Sequence, residues 1–132
     1  MDQQQILKTL NIGIVANDFA IEIKESFKRD DVTVIQGLLE QGLISVDARF
    51  ARGTGHSQDR TLLMHAATIG ADAVVTFLLA EGANPTLTDV GGKKAYDLAA
   101  ERSRGPLSGQ LFRAYFGSRF PGVAAANNPP VF

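Results

Sequence analysis

Apolar positions along the chain recur at helical spacing, in runs that stop and restart. Val74, Val75, Leu78 and Leu79 fall three and four apart, which lines one side of a helix. Gly82 ends that run, and Asn84-Pro85 turns the chain outward. A shorter helix precedes it. Thr61 supplies a capping hydroxyl, the string Leu63-Met64-His65-Ala66-Ala67-Thr68-Ile69 is small and apolar, and Gly70 closes it. Small Ala66 and Ala67 let the two helices approach closely.

The pattern repeats. Thr61-Leu62-Leu63-Met64-His65-Ala66-Ala67 recurs 33 positions on as Lys94-Ala95-Tyr96-Asp97-Leu98-Ala99-Ala100. The second-helix pattern also occurs 40 positions earlier, as Val34-Ile35-Gln36-Gly37-Leu38-Leu39-Glu40-Gln41-Gly42, with Ile23, Ser26 and Phe27 in the places of Leu63, Ala66 and Ala67. Stacked units of this size are each too small to bury their own apolar face, so the chain is predicted to be a short solenoid. Its first helix, residues 18–28, is bulkier and carries Glu22, Lys24, Glu25 and Lys28, as suits an end unit with one wetted face. Upstream, Ile6, Leu7 and Leu10 predict a short amphipathic helix laid over that end. At the other end Leu107, Leu111 and Phe112 take the places of Val74, Leu78 and Leu79, and Pro106 opens the final helix. From Gly117 the chain becomes rich in Gly, Pro, Ala and Asn. It reads there as a flexible tail, or as an extended segment docking through Phe120 or Phe132.

At 132 residues the chain is one domain with enough core to need no staples. Zero cysteines remove disulfides, thiol catalysis and cysteine-ligated metal together. The opening Met1-Asp2-Gln3-Gln4-Gln5 lacks a basic start and an apolar core, and no stretch is long enough to span a bilayer. A cytoplasmic protein is expected, with export lacking a recognisable signal left open. A net charge of -1 argues against a general nucleic-acid binder. The charge is uneven, however: residues 1–47 hold eight acids against four bases, and after Glu101 there are four arginines and no acid.

With Thr61, Leu63, Ala66, Ala67, Gly70, Val75, Leu78, Leu79, Gly82, Ala83 and Asn84 in register, the sequence resembles the ankyrin repeat over residues 18–115. The resemblance implies an all-α fold: a short ankyrin-repeat solenoid of about three helix pairs, with β-turn or hairpin connections and capping helices. The division expected is an ankyrin-repeat domain at residues 1–117 and a tail at 118–132. The resemblance also implies protein binding without catalysis. A monomer that takes no cofactor, nucleic acid or membrane is expected beside it. Leu62 and Met64 stand where the family has Pro and His, and Tyr96-Asp97 where it has Leu-His. The larger departure is length. Gly42 to Gly82 is 40 residues rather than 33, an insertion of seven that falls within residues 47–60.

Insertions in solenoids map to loops on one face, often the binding face. Arg49, Phe50, Arg52, His56 and Arg60 lie in this one and combine planar cations with an aromatic ring, residue types that concentrate in interface hot spots. A tolerated surface insertion with a Gly53-Thr54-Gly55 tip is the plainer alternative. The family's concave face is made by turn tips and first helices. Carried over by position, it implies partner contacts at Ser57, Gln58, Arg60 and Thr68 in the central unit, and at Val90, Gly91, Lys93 and Glu101 in the last. Three units give a face of roughly 800 Å².

Other chemistry is poorly supported. Gly53-x-Gly55 lacks the lysine and hydroxyl of a phosphate loop, and Gly91-Gly92-Lys93-Lys94 reads as a turn. His56 and His65 are the only histidines, too few to nucleate a metal site, and His65 is placed to pack between units. Ser57 beside His56 lacks a nucleophile elbow. Asp30-Asp31 falls at a helix-helix turn, where carboxylates cap helices. The function read from the sequence is an adaptor or stoichiometric inhibitor of a partner protein. A structural protein that self-associates through its oppositely charged ends is the alternative.

Overall fold

The computed structural model describes residues 14–15, 17–50, 60–102 and 104–119, of which 14, 17, 18, 118 and 119 are described in their backbone alone. Within these residues the order is β1 (Ile14–Val15), α1 (Asn17–Lys28), α2 (Thr33–Glu40), β2 (Arg49–Phe50), α3 (Leu62–Ile69), α4 (Asp72–Ala80), α5 (Ala95–Glu101) and α6 (Gly105–Arg119). The helices form three successive pairs, and the first helices α1, α3 and α5 pack side by side. The expected helix at Ile6, Leu7 and Leu10 lies outside the described residues, as does most of the tail.

Local chemistry accounts for the central pair. Thr61 is extended (φ -75°, ψ 168°), and its Oγ1 accepts a hydrogen bond from the Met64 N–H at 3.2 Å, satisfying one of the helix's orphan donors. Gly70 ends α3 at φ 80°, and the N–H groups of Gly70 and Ala71 both return to the Ala66 carbonyl. Glycine adopts that left-handed conformation without a Cβ clash. In the last pair no hydroxyl is available. Asp97 instead reaches back to accept from the Lys94 N–H at 2.9 Å, the carboxylate half of a capping box. The Tyr96-Asp97 departure from the family pattern is thus an alternative cap.

One apolar core runs through all three pairs. Ile23, Phe27, Ile35, Leu62, Leu63, Met64, Val74, Val75, Leu78 and Leu111 are essentially inaccessible to solvent. Leu62 and Met64 replace the family's Pro and His with buried apolar surface, about 1.5–3 kcal/mol for each side chain. Ala66 and Ala67 are completely buried, as close approach of the helices requires. Ser26, fully buried in the equivalent place in α1, is satisfied by donating its hydroxyl to the Ile23 carbonyl at 2.8 Å.

Periodicity did not foretell one element. β1 pairs in parallel with β2, Ile14 opposite Arg49 and Val15 opposite Phe50. Arg49 also bridges antiparallel to Thr61. The segment before α1 is therefore laid against the base of the long connection. Among the described residues no helix is long and apolar enough to cross a membrane.

Candidate protein-binding face

The long connection leaves the core at β2 and returns at Arg60. Phe50 N–H donates to the Arg60 carbonyl at 2.9 Å, and Leu62 N–H to the Ala48 carbonyl at 3.3 Å. These bonds join the two ends of the connection in which the seven-residue insertion falls. Residues 51–59 lie outside the described residues, and with them Arg52, His56, Ser57 and Gln58.

Phe50, expected among the partner contacts, is buried instead. Its ring is 1% exposed, meets His65 edge-on at 5.2 Å between centroids, and lies 5.0 Å beneath the Lys24 ammonium. An apolar ring at the start of this connection gains more by closing the core than by facing water. His65 packs between units as expected, its ring also 6.0 Å from Phe27. Burial, then the positive charges of Lys24, Arg60 and Lys28, holds His65 down to about 4, so the imidazole is neutral near pH 7. Burial likewise lowers the Lys24 ammonium.

The arginines at the two ends of this connection reach the next turn. Arg49 Nη1 donates to the Thr88 carbonyl at 2.9 Å, and Arg60 Nε lies 3.6 Å from Asp89 Oδ2 in a mostly buried ion pair. Asp89 in turn organises its own turn. Its Oδ1 accepts from Gly91 N–H at 2.9 Å and Lys93 N–H at 3.0 Å. Arg49 and Arg60 therefore clamp two neighbouring turns together. The sequence marks both arginines as partner contacts, whereas in the fold they hold Thr88 and Asp89 of the next turn. The signal for Asp89 was present in Asp89-Val90-Gly91-Gly92, where a carboxylate followed by glycines favours a self-bonded turn.

The remaining named positions border these turns. Val90, at the second turn, is 74% exposed. Lys93 and Glu101 are half exposed and pair at 2.7 Å, tying the turn to α5; a pair in that setting contributes little stability. Thr68 donates its hydroxyl to the Met64 carbonyl at 2.9 Å, and its own carbonyl accepts from Arg104 Nε at 3.2 Å. Gly91 is exposed beside Val90. Among the described residues no group of three His, Cys, Asp or Glu side chains comes together as a metal site would need.

Polar side chains also join one unit to the next. Asp30 adopts a left-handed φ of 55°, and its carboxylate accepts from the N–H groups of Ala73 at 3.1 Å and Val74 at 3.0 Å. It thereby caps α4, a helix of the next unit. Asp31 serves its own unit, accepting from Thr33 N–H at 2.9 Å and Thr33 Oγ1 at 2.7 Å. Those bonds lower the Asp31 carboxyl below its usual range. Asp47 Oδ1 accepts from the Asn84 N–H at 2.8 Å, a third contact from one unit to the next.

The family described as Ankyrin repeat matches residues 58–90. The chain is 43% identical over 67 residues to "Ankyrin repeat, SAM and basic leucine zipper domain-containing protein 1" of Saimiri boliviensis boliviensis and to that of Ateles geoffroyi. Each match covers 48% of this chain and 13% of the relative, so the chain spans a small part of the length of these curated relatives. A chain in the solved structure of the Bd0816 predatory endopeptidase from Bdellovibrio bacteriovorus, in complex with immunity protein Bd3460, superposes with a TM-score of 0.58. There the identity is 25%, over 70% of this chain and 45% of that one. Ankyrin repeats are in general protein-binding modules without catalysis, and the three helix pairs of the described residues are consistent with a short all-α fold of that kind, with residues 58–90 matching the family.

Proposed function

We propose that the chain binds a partner protein through its concave face and the Arg-rich hairpin, as an adaptor or a stoichiometric inhibitor. The observation that carries this reading is the clamped pair of turns, Arg49 to Thr88 and Arg60 to Asp89. A base held in place before binding reduces the ordering cost of association. Beside it stands Val90, a large apolar side chain 74% exposed. In this reading Arg52, His56, Ser57, Gln58, Thr68, Val90, Lys93 and Glu101 meet the partner, while Arg49 and Arg60 support them. Similarity to a chain from an endopeptidase–immunity protein complex favours the inhibitor form. A cysteine-free chain is compatible with the cytoplasm, the compartment this reading assigns.

The test is affinity capture from cell extract with the intact chain and with a variant carrying Arg52→Ala and Val90→Asp. Partner recovery is expected to fall about tenfold, the effect of ~1.4 kcal/mol, with an unchanged melting temperature. Equal recovery by both proteins would move the binding site elsewhere. The uneven charge favours a second reading, self-association of an acidic first part with an arginine-rich end. Mass measured at low and high salt decides it, since a monomer at both excludes it.

A further inference from the structure

We propose that residues 129–132, Pro129-Pro130-Val131-Phe132, seat in extended form on the aromatic surface formed by Tyr96, Phe112 and Tyr115. These rings make a continuous cluster. Tyr96 meets Phe112 edge-on at 5.4 Å and Tyr115 at 5.3 Å, and Phe112 lies 6.3 Å from Tyr115. The Lys94 ammonium stands 5.3 Å over Tyr115 and 5.9 Å over Tyr96. Phe112 is 48% exposed.

The surface is the one that an inner unit covers. Tyr96 and Phe112 lie 33 positions after Leu63 and Leu79. Leu63 is 1% exposed and Leu79 is partly buried against the core. In the last pair the corresponding positions carry larger rings, and half of Phe112 remains open. Residues 120–132 are rich in Gly, Pro, Ala and Asn and carry no helical periodicity.

The chemistry suits an extended, proline-containing occupant. A polyproline II segment has no internal hydrogen bonds and presents prolyl rings to aromatic faces. Two phenol groups and an ammonium supply donors for its carbonyls. Residues 120–132 contain Pro121, Pro129 and Pro130, the apolar Phe120, Val131 and Phe132, and no charged side chain. α6 ends at Arg119, about one turn beyond Tyr115. The stretch from there to Pro129 reaches roughly 18 Å as a flexible tether and ~35 Å fully extended, enough to return to Tyr96. Tethering supplies an effective concentration on the order of millimolar, so a weak site suffices.

The absence of cysteine allows a spin label at one position, Asn128→Cys, in the otherwise intact chain. Amide signals of residues 96, 112 and 115 are expected to be broadened. A second labelled chain that also carries Pro129→Ala, Pro130→Ala and Phe132→Ala should show at least about threefold less broadening there. Equal broadening by both tails overturns the proposal, because proximity along the chain would then explain it. Broadening that appears only when a spin-labelled copy is mixed with an isotope-labelled, label-free copy also overturns it, since the occupant would be a second chain.

Discussion

Asp30 combines a strained backbone with two bonds to a neighbouring unit. Its φ of 55° is uncommon for a residue with a Cβ, though aspartate tolerates it better than most. The gain is a carboxylate aimed at Ala73 N–H and Val74 N–H. Asp30→Ala should cost about 1–2 kcal/mol, and amide hydrogen exchange should quicken in α4 more than in the neighbouring α2. His65 gives a second residue-level prediction. Its folded pKa of about 4 lies below the usual 6.5, so the unfolded chain takes up the proton first as pH falls. Its stabilising effect is complete above pH 6.5 and is lost progressively down to about 4. The chain should be ~2 kcal/mol less stable at pH 5 than at pH 7.5 by urea unfolding, and His65→Leu should flatten that difference. The sequence pointed to His65 as a packing residue, but its protonation depends on Lys24, Arg60 and Lys28, which only folding brings near.

Elements were the most legible level. Helical spacing located the helix pairs, and Thr61 and Gly70 marked both ends of α3. Thr61→Ala should lower stability by about 1 kcal/mol. Gly70→Ala should cost more than the usual glycine replacement. Its φ is 80°, and a Cβ there would come within 2.7 Å of the Arg104 guanidinium. A thermal melt should show a loss of roughly 1 kcal/mol or more from backbone strain, and adding Arg104→Ala should not restore it, because the bond from Arg104 Nε to the Thr68 carbonyl is lost as well. The β1–β2 pairing was illegible because two-residue strands carry no alternation to read. Phe50 was misread for a related reason: an aromatic residue in a polar connection looks exposed until Lys24 and His65 are folded around it.

Across the whole molecule, stability rests on a core shared by all three pairs rather than on any one of them. Leu111, in the last helix, is fully buried together with residues of the central unit. Leu111→Ala is expected to cost ~2–5 kcal/mol, and thermal unfolding should remain a single transition, because no unit buries its apolar face alone. Two resolved transitions would show instead that the last pair unfolds independently. The seven-residue insertion acts at this scale too. Its base is joined to the following turn through Arg49 and Arg60, so the binding proposal concerns the combined edge of two units.

The sequence alone determined the repeat, the helix pairs, the caps of α3 and the place of the insertion, because helical spacing and the conformational preferences of Thr and Gly act within a few residues. Tertiary structure decided which polar groups join the units. Asp30 to α4, Asp47 to Asn84, Arg49 to Thr88 and Arg60 to Asp89 link residues 29 to 44 positions apart. Their partners are set by how the units stack, and only burial determines whether an aromatic or a cation serves the core, a clamp or an open surface.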